Sequence, residues 1–133
     1  MTEQFHSQQR YRLAKARRAL ASAKLLFSDH DEQAAASRLY FACFHAVSAL
    51  LLQLGLTPKT HAGVRSLFGL HVIHEGLLPT ELGDLFIELS EARHKADYID
   101  SLEIESEQIA DWLPEATHFV DAVEQLIREK TGI

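Results

Sequence analysis

Apolar positions recur at three- and four-residue spacings along almost the whole chain. From about residue 5 to 28, Leu13, Ala16, Leu20, Ala23 and Phe27 fall on one stripe, which predicts an amphipathic helix with a single buried face. Asp29-His30-Asp31-Glu32 interrupts the stripe. Asp29, followed three residues later by Glu32, resembles a capping box that opens a second helix. That helix runs to Leu54 and stops at Gly55. From Leu39 onward it is apolar almost all round, so neighbours must cover most of its sides. Its small residues, among them Ala35, Ala36, Ala42, Ala46 and Ala49, let those neighbours approach closely. Pro58 pushes Thr57 out of the α region, which makes residues 55–61 a loop. A shorter helix is predicted from Ala62 to His74, ending near Gly76. Thr80, after Pro79, can cap a fourth helix with Leu82, Leu85, Phe86, Leu89, Ala92 and Ala96 on its inner face; it is expected to end near Asp100. The last helix spans about Ser106 to Lys130, with acids at its positive end and Arg128 and Lys130 at its negative end. Pro114 inside it is expected to kink it. No alternating strand pattern and no Asn-Gly or Asp-Gly turn occurs. Four long helices, a short one and short connections predict an all-α fold, an up-and-down antiparallel four-helix bundle plus a short extra helix.

Composition narrows this picture. A chain of 133 residues, 47% of them hydrophobic, suits a single domain, 1–133, large enough to bury a core without metals or disulfides. Cys43 is the only cysteine and sits in an apolar run, so it reads as core in a reducing, cytoplasmic protein. The N-terminus lacks the apolar stretch of a signal peptide. The most apolar segment, Leu39 to Leu54, carries His45, Ser48 and Gln53 and reads as a buried helix, not a membrane span. Charge is unevenly spread: residues 1–28 hold six Lys/Arg against one acid, leaving −11 on the remainder of a chain whose total is −6. Two readings fit that basic segment, a solvated helix facing its own acidic body or a stripe for RNA or an acidic partner.

The densest chemistry lies in Arg93-His94-Lys95-Ala96-Asp97-Tyr98. Helical spacing puts Arg93 and Asp97 on one face, while Tyr98 is about 140° round the axis from Arg93. An intrahelical ion pair is one reading. The other makes Arg93 a phosphate clamp oriented by Asp97, with Tyr98 donating to phosphate or stacking on a base. Thr60 can cap the short helix and leave Lys59 and His61 solvated, or Lys59, Thr60 and His61 can form an anion site at a helix N-terminus beside a glycine. His45 on the apolar helix reads as a core or interface histidine, or as a neighbour of Arg93 in a pocket. His71 and His74 have ligand spacing but no matching second pair, so no metal is expected. No Ser-His-Asp pattern, nucleophile elbow or glycine-rich phosphate loop occurs, and no cofactor is implied.

These motifs together resemble the HEPN family (higher eukaryotes and prokaryotes nucleotide-binding), in particular its small stand-alone prokaryotic members with an Arg-x-x-Ala-Asp-Tyr signature. The resemblance rests on that run, on Arg38-Leu39-Tyr40-Phe41-Ala42-Cys43-Phe44-His45-Ala46, on Lys59-Thr60-His61-Ala62-Gly63 and on Ser66-Leu67-Phe68-Gly69-Leu70-His71, in that order along the chain. It implies a helical bundle that forms a homodimer and is paired with a minimal nucleotidyltransferase as the toxin-like partner of a toxin–antitoxin system, binding a nucleotide or RNA. It also implies a site at Arg93, Asp97 and Tyr98, with His45, Lys59, Thr60, His61 and His94 as ligand-binding candidates and Tyr98 as a candidate acceptor of adenylyl groups. The alternatives are a metal-independent endoribonuclease and a non-catalytic interaction module. The family's nuclease motif places a histidine after four to six residues beyond its arginine; here positions 98–100 are Tyr, Ile and Asp. Tyrosine, with an ordinary pKa near 10, is a poor base at neutral pH for RNA cleavage.

Overall fold

The computed structural model describes residues 2–98 and 104–131, with the side chains of 97, 98 and 131 outside that description. Its helices are α1 (Glu3–Ser28), α2 (Glu32–Gln53), α3 (His61–Phe68), α4 (Thr80–Tyr98) and α5 (Ser106–Thr131). No strand occurs among the described residues, and the all-α expectation holds. Side-chain bonds fix the helix directions. Gln9 Nε2 near the start of α1 donates to Ala49 O at 3.1 Å, near the end of α2, so these two run antiparallel. Arg17 of α1 reaches Asp121 and Glu124 of α5, while the Ser106 hydroxyl at the start of α5 donates to Glu32 at the start of α2, 2.6 Å away. α2 and α5 therefore run the same way, opposite to α1, as in an up-and-down bundle. That bond from Ser106 also holds the Glu32 carboxyl below its usual range.

α2 is the central helix and packs against every other numbered helix. Twelve of its residues are buried, including Ala35, Ala42, Ala46 and Ala49, so the small side chains do what their size allows and admit close neighbours. By length and composition alone α2 could cross a membrane, but 72% of its most apolar window is buried inside the bundle. Cys43 lies fully inside the core, where desolvation pushes its thiol pKa far up. The α4 stripe is as expected as far as Ala92: Leu82, Leu85, Phe86 and Leu89 are buried and Ala92 packs against the core, while Ala96 is only half-buried. Pro114 lies inside α5. The expected end of α4 near Asp100 lies outside the described residues.

Two local expectations are corrected. Asp29 does not open α2; it closes α1, with its amide bonded back to Leu25 and Phe27. His30 then takes a left-handed φ of 61°, and Asp31 caps α2 by accepting from the Ala34 amide at 3.2 Å. The cap must stand directly before the first turn, and the two acids differ only in that register. The predicted helix from Ala62 to His74 is also not uniform. α3 starts one residue earlier, at His61, and gives way to a π-helical turn, Gly69–Ile73, closed by His74 N to Gly69 O at 2.8 Å. This turn brings Ile73 so close to α4 that a Cβ on Gly83 would lie 3.1 Å from it. Glycine at 83 eases that approach.

Candidate anion-binding cleft

The loop before α3 explains the Lys-Thr-His-x-Gly run in physical terms. Thr60 is extended, and its hydroxyl accepts from the Gly63 amide at 2.9 Å. A Cβ on Gly63 would lie 3.0 Å from that hydroxyl and 3.2 Å from Pro58, so a larger residue there would press on the cap and the loop. With the cap fixed, Lys59 and His61 flank it. Thr60→Ala is expected to cost about 1 kcal/mol, the usual worth of an N-cap, read as a fall in thermal midpoint with the helical spectrum retained.

His61 is held from behind. Its Nδ1 lies 2.8 Å from the Tyr40 hydroxyl, and its ring stacks on Phe44 with centroids 4.3 Å apart. Tyr40 is fully buried. Burial raises its pKa, against the opposing pull of Arg65, Arg93 and Ser90, so the phenol keeps its proton at neutral pH and remains a hydrogen-bond partner for His61.

Arg93 lies over this aromatic group. Its guanidinium carbon is 4.9 Å from the Phe41 ring centroid and 5.5 Å from that of Tyr40. Arg38 approaches Phe41 as well, at 4.8 Å. Such cation–π contacts are worth about 0.5–2 kcal/mol each, and a planar guanidinium resting on a ring still directs its N–H groups outward in its own plane.

Beside this cluster is a cleft of about 480 Å³ between α1, the second half of α2 and the loop before α3; its wall includes Tyr11, Arg12, Lys15, His45, Lys59, Thr60 and His61. None of the described residues that line it is Asp or Glu. Arg12 is anchored by a bond from Nη1 to Ser48 O at 3.2 Å, and Lys15 sits 5.2 Å from the Tyr11 ring centroid. The remaining α1 cations of known pairing behave differently: Arg10 meets Glu3, and Arg17 meets Asp121 and Glu124. Part of the basic segment is thus neutralised by the acidic body, while Arg12 and Lys15 line the cleft. The cleft's potential is visible in its imidazoles. His45 is held down to about 4 by desolvation, then by Lys15, Arg38, Arg12 and His61. His61 is lowered by desolvation, then by Arg93 and Arg65. Both rings are neutral at pH 7, in a cleft whose described charged residues are Arg12, Lys15 and Lys59.

Of the residues singled out from the sequence, His45, Lys59, Thr60 and His61 come together in this cleft, and Arg93 adjoins it across Tyr40 and Phe41. His94 does not join them. It lines a neighbouring cavity of about 380 Å³ with Arg65, Ser90, Arg93 and Lys95. Asp97 and Tyr98 occupy the last turn of α4, and their side chains lie outside the described residues. The motif reading missed Tyr11, Arg12 and Lys15. The signal was present: Arg12 and Lys15 stand about 60° apart on a helix, whereas the composition of the segment blurs them with Arg10 and Arg17. Among the described residues no three His, Cys, Asp or Glu groups converge as a metal site.

An α-helical bundle with a basic, aromatic-floored cleft beside an arginine is the architecture in hand. A profile of the HEPN domain matches residues 9–126, and the chain belongs to that family. It is 38% identical over 115 residues to a "UPF0332 protein" of Thermotoga maritima, covering 86% of this chain and 87% of that one. It is 37% identical over 110 residues to the "Putative toxin MJ0605" of Methanocaldococcus jannaschii, covering 83% and 81%. A second protein of that organism, "Putative toxin MJ0142", is 33% identical over 96 residues, 72% of this chain and 65% of its own.

Proposed function

We propose that this chain is a nucleotide- or RNA-binding HEPN protein, the toxin-like partner of a minimal nucleotidyltransferase, acting as a homodimer. The observation that carries the binding reading is the acid-free wall of Arg12, Lys15, Lys59, His45 and His61 in a chain of net charge −6. Leaving cations without carboxylates costs a protein nothing in water, but gathering them round one concavity raises the local potential and draws in anions. Stacked rings and a guanidinium beside that wall suit a base and a phosphate together. The names of the two Methanocaldococcus relatives support the toxin-like part; the family resemblance supports the nucleotidyltransferase partner and the dimer.

Equilibrium binding of a fluorescent ATP analogue and of a short RNA tests this reading. The double variant Arg12→Ala/Lys59→Ala is expected to weaken binding at least about tenfold, roughly 1.4 kcal/mol. Arg10→Ala, which removes a cation outside the cleft, should leave it unchanged. Equal loss in both variants would mean nonspecific attraction, and no binding by wild type would remove the reading.

One observation favours a second reading, metal-independent RNA cleavage. Two imidazoles line the cleft beside Arg93, and one of them, His61, is held by the Tyr40 hydroxyl. A neutral imidazole can supply the base that the missing motif histidine does not. Cleavage of RNA in EDTA, abolished by His61→Ala, would establish it.

A further inference from the structure

On the other side of α1 from the cleft, a cavity of about 400 Å³ opens between α1 and α5. It shares no described lining residue with the two cavities above, and its size suits a small ligand. Its floor is aliphatic: Leu13 packs against the core, Ile127 is buried and Ala14 lies beside them. One polar group in this floor is incompletely used. Gln9 lines the cavity, is 5% exposed and is the one buried polar side chain among the described residues. Its Nε2 donates to Ala49 O at 3.1 Å and to Gln53 Oε1 at 3.0 Å, which uses both N–H groups. A backbone carbonyl only accepts, so the atom facing Ala49 is the nitrogen and the amide cannot turn over. Gln9 Oε1 has no partner among the described residues. None of their buried side-chain oxygens is sealed off without one, so Oε1 opens into the cavity. A ligand that fills the floor must give this oxygen a hydrogen or strand it, and a buried unmade bond is costly.

The rim carries Arg10, Arg17 and Arg128 with one acid, Glu124. Arg17 meets Asp121 at 2.7 Å and Glu124 at 3.3 Å, and Arg128 meets Glu124 at 3.2 Å. Arg10 is held differently. Its bond to Glu3 is 3.3 Å long and both side chains are largely exposed, so little free energy keeps the pair together. A ligand carboxylate at the rim can replace that of Glu3 on Arg10, charge for charge. A doubly charged phosphate has no such exchange, because acids already balance the other two guanidinia. We infer that this cavity is a binding site for a small amphipathic carboxylate: its apolar body on Leu13 and Ile127, an O–H or N–H of that body donating to Gln9 Oε1, and its carboxylate on Arg10. The inference stands apart from the nucleotide-binding reading and from the cleft that carries it.

The test is an NMR titration of the isotope-labelled full chain with two probes, indoleacetate and hydroxyphenylacetate. Each has a flat apolar body, one donor and a carboxylate. The N-methyl derivative of indoleacetate lacks the donor, and indoleacetamide lacks the charge. At least one of the acids is expected to bind with Kd below about 1 mM and to shift amides on α1 and α5 around Gln9 and Ile127. Loss of the donor or of the charge should weaken binding at least about tenfold, as a stranded buried acceptor or a lost charged bond does. Arg10→Ala should weaken the acid about tenfold. Glu3→Gln removes the competitor for Arg10 and should tighten it about threefold. Ala14→Leu fills the cavity from an exposed position and should abolish binding with the helical spectrum intact. Gln9→Met should lose the preference for the donor-bearing acid; where that variant fails to fold, the N-methyl comparison on the wild-type chain decides the same point. No binding by either acid, equal binding of the N-methyl or amide analogue, shifts away from α1 and α5, or unchanged affinity in Ala14→Leu overturns the inference.

Discussion

Phe86→Ala is expected to destabilise the fold by about 3–5 kcal/mol, the range for removing a large aromatic side chain from a core. Phe86 is 1% exposed and is the ring through which four elements meet. It stacks on Tyr40 of α2 at 5.8 Å, meets Phe68 of α3 edge-on at 5.5 Å and contacts Phe119 of α5 at 5.8 Å. No single neighbour can move into the space without giving up its contact with another, so the cavity stays largely open, which places the cost toward the upper end. Domains of this size are stable by about 5–15 kcal/mol, so the variant should be near the edge of folding. Urea unfolding checks it: the midpoint should fall steeply with the slope unchanged, and Phe86→Leu should recover much of the loss. A fall below about 1.5 kcal/mol would mean that the rings repack. Tyr40 loses its stacked partner in the same variant, so the hold on His61 should loosen and ligand affinity should fall even where the protein remains folded.

The bundle was legible because its helices are written in a period that needs no partner to be read. The inner stripe of α4, the capping Thr60 and the stop at Gly55 are local facts, set by residues within one or two turns. Gly55, with φ of 76°, takes the left-handed turn its position demands. One misreading is also local, a matter of register. Asp29 and Asp31 offer the same carboxylate, and only the left-handed His30 decides which one caps. The π-helical turn at Gly69–Ile73 answers to Gly83, a residue of another helix, so no window of sequence around it could show it. The site divides in the same way. Arg93 and the Lys-Thr-His run stood out as motifs, but their relation passes through Tyr40, which the chain alone presents as one more apolar-face aromatic. The contribution of α1 depends on which of its cations α5 neutralises, and that is decided by Asp121 and Glu124, more than 100 positions away from Arg17.

Acid should weaken this protein through one identifiable ring. His45 is held near 4, against 6.5 for an ordinary histidine, by desolvation and by the cations of four neighbours: Lys15 and Arg12 on α1, Arg38 on α2 and, when protonated, His61 on α3. The folded state therefore binds fewer protons than the unfolded chain between pH 6.5 and 4. Stability tied to this group is whole above pH 6.5 and is lost progressively as pH falls toward 4. At pH 5 the loss amounts to about 1–2 kcal/mol once partial solvation of the ring is allowed for. The depressed His61 acts in the same direction. Carboxylates titrate as well, so the quantity to measure is a difference: urea unfolding of wild type and His45→Leu at pH 7 and pH 5. Wild type should lose more stability than the variant by that amount. Parallel behaviour would mean that the cleft does not hold His45 neutral. An anion in the cleft should reverse part of the effect, because negative charge beside the ring favours its protonated form. Phosphate or oligonucleotide should then bind more tightly at pH 5.5 than at pH 7.5, and His45→Leu should lose that dependence. The cost of keeping a neutral histidine among cations would thus be recovered on binding, which is the behaviour of a site arranged around an absent negative charge.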